Sequence, residues 1–493
     1  MQGFAVALQP ANLLWCFVGV VLGTVVGILP GLGPPATIAM LLPLTFLMNP
    51  AAAMIMLAGI YYGAKYGGST TSILLNVPGE SASVVTCLDG YAMARKGRAG
   101  AALGIAAIAS FIAGTVGVLG LMLVAPPLAK VALAFSAPEY FALMALGLAM
   151  VVLLAGRSML KALLAMLVGL WLAGIGTDPF STTSRFTFGH LELLSGIDFV
   201  VVAIGLFALG EVLASMEGRA EAQSLPVPKG LRNLLPTLQD LKDCRFAFLN
   251  GSVLGFLIGV LPGAGSTIAS FISYGVEKAV SRRPQEFGKG VAEGVAAPEG
   301  ANNSETGGAL VPLLTLGIPG SGTTAVLLAA LVLWGFKPGP LFISENSALF
   351  WGLVASMYIG NIMLLVLNLP LVPLFAQVLR TPGFVLYPAI LGISIVGVYS
   401  VSGSLFDVAL LVAFGLLGYL MRKLDYPAAP LVLGLVLGGG MERALRQSLM
   451  MSQGDLSILA TRPISAVMLS LALLILLIPL FNKLNAWRLQ ALE

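Results

Sequence analysis

Two short patterns in this 493-residue chain carry residue types suited to holding small ions where a helix breaks. The first is Gly27-Ile28-Leu29-Pro30-Gly31-Leu32-Gly33. Proline lacks an N–H and collides with the preceding turn, so a helix stops there. The flanking glycines let the backbone turn and approach a partner closely. The pattern returns 232 positions later as Gly259-Val260-Leu261-Pro262-Gly263-Ala264-Gly265. Pro30, Gly31 and Gly33, and Pro262, Gly263 and Gly265, are therefore expected to form paired helix breaks. A helix starting at Ser266 and Thr267 would offer free N–H groups and a positive dipole end to an anion. The bland alternative is an ordinary interhelical turn.

The second pattern runs from Gly67-Gly68-Ser69-Thr70-Thr71-Ser72 to Asn76-Val77-Pro78-Gly79, followed by Ser81 and Ser83. Gly307-Gly308 through Leu313-Leu314-Thr315-Leu316-Gly317-Ile318-Pro319-Gly320 corresponds to it, 240 to 241 positions on, and Ser321 and Thr323 follow. Small hydroxyls and an amide around a break suit a carboxylate site, built from two re-entrant hairpins meeting tip to tip. Ser69, Thr70, Thr71, Ser72, Asn76, Pro78 and Gly79, with Thr315, Pro319, Gly320, Ser321 and Thr323, are the expected substrate contacts. Close helix packing favours the same small residues and is the competing reading. Glu299-Gly300-Ala301-Asn302-Asn303-Ser304-Glu305 is a polar cluster just ahead of the second hairpin. Its Glu299, Asn302 and Asn303 are expected ion or substrate ligands, because polar groups at membrane depth are costly and tend to be functional; the alternative is a solvated loop. Lys65 would pair with an anion, or snorkel to the interface.

Other chemistries lack their residues. His190 is the only histidine, which leaves no HExxH pair. Gly288-Lys289 has Arg283 where a phosphate-binding loop needs glycine. Cys16, Cys87 and Cys244 have no paired spacing. No enzyme, cofactor or structural metal is expected; the one metal ion that the donor set admits is Na+, with H+ as the other candidate coupling ion.

The elements that position these residues follow from composition. Only 10% of the chain is charged and 58% is hydrophobic, against about 25% charged in soluble domains. Mean hydropathy is +0.97. A soluble enzyme, a nucleic-acid binder and a disordered chain are thereby excluded. Stretches such as 99–129 and 246–276 hold no Asp, Glu, Lys, Arg or His, which suits membrane helices and not the alternation of a barrel. The first 64 residues also lack them, which argues against a cleaved signal peptide. Glycine accounts for 59 residues, about 12% against a usual ~7%.

Apolar segments fall near 11–29, 33–48, 51–66, 100–124, 138–156, 158–176, 197–215, 246–261, 266–280, 322–336, 346–376, 383–401, 403–421 and 464–482. Segments 67–90, 301–320 and 427–440 read as too broken for plain spans, and 126–136 and 301–320 as re-entrant. The expectation is an all-α polytopic membrane protein with roughly twelve transmembrane helices plus re-entrant hairpins. The Lys/Arg-rich loops are assigned to the cytoplasm and 177–196 to the outside. Most charge then lies in loops, so the expected site has little fixed charge. The duplicated patterns divide the chain into a first repeat (1–215), a cytoplasmic linker (216–245) and a second repeat (246–493). Counting crossings makes the repeats inverted, the architecture of secondary transporters with a midplane site.

The matching motifs extend through Thr86-Cys87-Leu88-Asp89-Gly90-Tyr91, Ala297-Pro298-Glu299 and Gly335-Phe336-Lys337-Pro338-Gly339-Pro340. With the patterns above, they make the chain resemble the large membrane subunit of the tripartite tricarboxylate transporters over nearly its whole length. That resemblance implies a multi-pass protein of the bacterial inner (plasma) membrane. It implies work with a small four-helix membrane subunit and a periplasmic solute-binding protein, no nucleic acid, and import of citrate-like tricarboxylates or related organic acids on a Na+ or H+ gradient. The family's Asn at the first hairpin and its Asn-Asn before the second map onto Asn76, Asn302 and Asn303; Lys65 is a departure. The repeated broken segments suggest an elevator mechanism. The alternatives are a self-sufficient ion-coupled carboxylate symporter and, beyond that, a channel or a non-transport membrane scaffold.

Overall fold

Continuous apolar sequence folds mostly as helix among the described residues. The computed structural model describes all residues except 1, 30–32, 47, 155–157, 179, 218–233, 264, 372–373, 375–382 and 491–493. The expected break residues Pro30 and Gly31 lie outside the described residues. Among the described residues, six helices are long and apolar enough to cross a membrane: Pro10–Ile28, Ala94–Ala132, Phe199–Glu217, Ser347–Asn368, Leu405–Lys423 and Ala428–Met451. Seven shorter apolar helices accompany them among the described residues. The chain is thus a predominantly helical multi-pass membrane protein. Among the described residues, the only strands form a small ribbon that pairs Gly176–Thr177 with Ser184–Arg185.

Two further helices sit at the centre. Pro50–Leu75 is buried on every side from Ala52 to Leu74, and Glu293–Leu316 from Glu293 to Thr315. Enclosure on all faces marks a core helix. Each packs on an earlier α-helix with one α-helix between them in the chain: Pro10–Ile28 lies against Pro50–Leu75, and Arg245–Val260 against Glu293–Leu316. Glycine makes this contact. A Cβ at Gly67 would overlap the carbonyl oxygen of Thr24, and one at Gly308 that of Phe256. The backbones are in direct contact at equivalent places in the two halves.

The two central helices also end alike. After Leu75 the chain turns left-handed at Asn76 (φ 58°), and after Leu316 at Gly317 (φ 70°). Asn and Gly are the residues that tolerate that conformation. A Pro-Gly pair follows each, then a capping residue: Glu80 in a capping box with Ser83, and Ser321 in one with Thr324. The halves diverge beyond that point. Residues 322–333 form a regular helix. Residues 81–98 form short turns that include two π-helical segments, Cys87–Tyr91 and Ala94–Arg98.

Four expectations about interruptions are corrected. Residues 67–75 continue the Pro50–Leu75 helix through Gly67 and Gly68. Residues 301–316 continue the Glu293–Leu316 helix, with Pro298 and Pro312 inside it. The segment 427–440 belongs to the continuous Ala428–Met451 helix. Residues 126–132 extend the Ala99–Ala132 helix through Pro126 and Pro127, so the chain turns only after them. Neighbouring helices replace the contacts that glycine and proline weaken, which is why composition overstates the breaks.

The glycine contacts predict a contrast. Gly67→Ala should destabilise the protein by about 1–3 kcal/mol through overpacking. Gly275→Ala points into open space and should be neutral or stabilising by up to about 1 kcal/mol. Thermal unfolding in detergent, followed by tryptophan fluorescence, measures both.

Candidate functional site

Tyr61, Lys65 and Ser69 are spaced by four residues, so they share one face of the first central helix. Glu299, Asn302 and Glu305 are spaced by three and share a face of the second. The two faces meet. Tyr61 donates to Glu305 Oε2 at 3.0 Å and Ser69 to Glu299 Oε2 at 2.5 Å. Between them, Lys65 Nζ donates to Glu80 Oε2 at 3.1 Å, and Asn302 Nδ2 donates to Glu80 Oε1 at 2.9 Å. Rising numbers on one helix meet falling numbers on the other, so the helices run antiparallel.

Each group has a definite role in this cluster. Lys65 is 2% exposed and forms a buried ion pair with Glu80. Its ammonium also donates to Ser266 Oγ at 2.6 Å and lies 5.4 Å from the Tyr61 ring centre. Glu80 reaches into the cluster because its capping position, directly after Pro78-Gly79, fixes its backbone. Glu299 accepts from the hydroxyls of Ser69 and Thr86. Glu305 accepts from Tyr61 through one oxygen, and its other oxygen has no partner; the same holds for Asn302 Oδ1. Glu299, Asn302 and Glu305 are all 0% exposed.

The structure brings together only part of the expected set: Lys65, Ser69, Glu299 and Asn302. Asn303 faces elsewhere, donating to Ser110 Oγ at 2.7 Å and to Glu299 O at 3.0 Å. Thr71 donates to Ile28 O, Ser72 to Gly68 O and Thr315 to Val311 O, so all three satisfy backbone. Thr70 and Thr323 are buried, while Asn76 is exposed and Pro78 half-buried. Ser321 is occupied in its capping box with Thr324. Gly33 precedes the Pro34–Thr45 helix, and Gly265 (φ 61°) opens the Gly265–Val280 helix.

The expected tip-to-tip meeting of hairpins is replaced by a different arrangement. Each break packs on the end of a helix of its own half, Pro10–Ile28 or Arg245–Val260. Gly79 lies against Gly27, and Gly263 N–H donates to Gly320 O at 2.8 Å, beside buried Pro319 and next to Pro262. Around the cluster, contacts between the halves come from the helix bodies, from Glu80, and from Ser266 and Thr267. Thr267 donates to Ser81 Oγ at 2.8 Å, which ties this helix start to the first hairpin. The expectation of a site with little fixed charge is also overturned, since Lys65, Glu80, Glu299 and Glu305 are all buried in it.

Tyr61, Glu80, Thr86 and Glu305 were not anticipated as site residues. A signal for Glu80 exists in the sequence: it stands where the second copy has Ser321, directly after the shared Pro-Gly, and Lys65 inside an enclosed helix requires a counter-charge.

Long apolar helices packed around a buried ionisable cluster are features of a polytopic membrane protein. Comparison with known proteins is specific. The model of the tripartite tricarboxylate transporter TctA family matches residues 13–433, and the chain belongs to that family. It is similar to an uncharacterized 52.8 kDa protein in the TAR-I ttuC' 3' region of Agrobacterium vitis, 48% identical over 486 residues, covering 99% of this chain and 96% of the relative. An uncharacterized protein in the TAR-II ttuC' 3' region of the same organism is 44% identical over 234 residues, covering 48% of this chain and 97% of the relative. No solved structure matches the chain.

Breaking the buried pair should cost more than removing it. Lys65→Met leaves Glu80 without its cation and is expected to destabilise by about 3–5 kcal/mol. Adding Glu80→Gln to Lys65→Met should recover more than half of that. Thermal midpoints of the two variants in the same detergent decide the point.

Proposed function

We propose that the chain is the large membrane subunit of a secondary transporter that imports citrate-like tricarboxylates or related organic acids. In this reading it works with a small four-helix membrane subunit and a periplasmic solute-binding protein in the bacterial inner membrane. A Na+ or H+ gradient drives uptake. The family of the chain supports the tripartite organisation.

The observation that carries the mechanistic part is the antiparallel meeting of the Tyr61–Ser69 and Glu299–Glu305 faces. The central helices are counterparts in the duplicated pattern. Counterpart helices that run antiparallel are what two inverted repeats, 1–215 and 246–493, would produce, and transporters built so place their site where the repeats meet. The residues offered to cargo and ion are Lys65, Ser69, Glu80, Glu299, Asn302 and Glu305. An elevator movement of the hairpin-bearing unit past a scaffold follows from the same reading. Asn76, exposed at the first break, is the place to watch it. Asn76→Cys should react with a membrane-impermeant thiol reagent to different extents in inward- and outward-facing conditions, and equal reaction would refute the movement.

Transport itself is tested in proteoliposomes. Uptake of labelled citrate or another organic acid should be saturable and should require both the binding protein and an inward ion gradient. Equal uptake by this chain alone would establish the self-sufficient symporter instead. Non-saturable flux would establish a channel. Glu299→Gln should reduce the rate at least about tenfold, the scale of losing a hydrogen bond to a charged group.

A further inference from the structure

Asn302 and Glu305 stand one turn apart on the same helix face, and both are 0% exposed. Asn302 spends its amide N–H on Glu80, which leaves Oδ1 directed away from that bond. Glu305 spends Oε2 on Tyr61, which leaves Oε1. Two acceptor oxygens without partners, side by side in a protein interior, are costly. The neighbouring Glu299 shows the contrast, because hydroxyl donors satisfy both of its oxygens. Glu305 also has no ion-pair partner, since the one ammonium in the cluster is paired with Glu80.

We propose that Asn302 Oδ1 and Glu305 Oε1 are ligands of a Na+ site, an inference that rests on the transporter reading above and names its coupling ion. A sodium ion meets both requirements at once. It is a hard cation that takes carboxylate and amide oxygens, and its charge compensates the unpaired carboxylate. A proton on Glu305 is the competing cation, since its O–H could be donated to Asn302 Oδ1; a response to Na+ at constant pH separates the two. Gly259 and Gly117 pack on the backbone of Glu305 and Ser304, which fixes this turn of the helix. The Tyr61 hydroxyl, which donates to the other Glu305 oxygen, holds that carboxylate in place.

The test uses the full chain, purified in detergent, with thermal unfolding measured at constant ionic strength. NaCl should raise the midpoint saturably over choline chloride, and KCl should not. The apparent Na+ affinity should strengthen as pH rises, because protons compete for Glu305. Glu305→Gln and Asn302→Ala should each weaken it at least tenfold, and Tyr61→Phe, which removes only the hydroxyl, should weaken it less. No advantage of NaCl over choline chloride in the unmodified protein overturns the proposal, whatever the variants do. So does an equal response to KCl, or a Na+ response unchanged in Glu305→Gln. Failure of the transport reading is read separately: a specific Na+ response with no solute uptake on a Na+ gradient in proteoliposomes leaves the site standing and removes the transporter role.

Discussion

A lysine ammonium enclosed within a membrane protein must have a counter-charge, and much of the architecture around the site follows from that demand. Lys65 lies in the middle of a helix buried on all sides, too deep to snorkel. Its counter-charge, Glu80, comes from beyond the end of the same helix, so the chain has to fold back at Asn76, Val77, Pro78 and Gly79 to deliver it. The left-handed turn at Asn76 and the small Gly79, pressed on Gly27, make that fold-back sterically feasible. Glu80 then uses its second oxygen for Asn302. One ion pair thereby connects the first hairpin, the first central helix and the second central helix.

The two halves share a scaffold and differ in chemistry. Both have glycine-mediated helix contact, a left-handed break, a Pro-Gly pair and a capping box. The side chains placed on that frame are different. Glu80 caps where Ser321 caps, and a distorted segment with π turns follows in one half where a regular helix follows in the other. π-Helical segments are found mostly at functional sites, and here one of them holds Asp89. Its buried carboxylate accepts from Tyr274 and from the N–H groups of Gly288, Gly290 and Val291. The backbone frame is where close packing leaves least freedom. The cluster it encloses is where the two halves differ.

Much of this was legible in the sequence and some was not, for physical reasons. Apolar runs located the helices to within a few residues, as at 265–280 and 405–423. Composition misread the central helices. Glu299, Asn302, Asn303 and Glu305 look like a loop when read as a string, because a polar run becomes helical in a membrane only if neighbours satisfy it. Those neighbours, Tyr61, Ser69, Glu80 and Ser110, lie far away in the chain. The hydroxyls of Thr71, Ser72 and Thr315 were overvalued for the related reason that a helix can absorb a hydroxyl on its own preceding carbonyl, which local sequence does not reveal.

The charge inventory of the cluster constrains any anionic cargo. Three buried carboxyl groups, Glu80, Glu299 and Glu305, face one ammonium. With all three ionised the region would carry a net negative charge in a low-dielectric surrounding, where each unpaired ion costs several kcal/mol. A carboxylate cargo entering nearby would add to the repulsion. In the proposed transporter, positive charge would therefore enter with the cargo or precede it, either on the carboxyl groups or beside them. Coupling of that kind would arise from electrostatics, before any moving part is considered. The 10% of residues that carry charge in this chain thus include a few buried groups that, in this reading, would make cation and anion depend on each other.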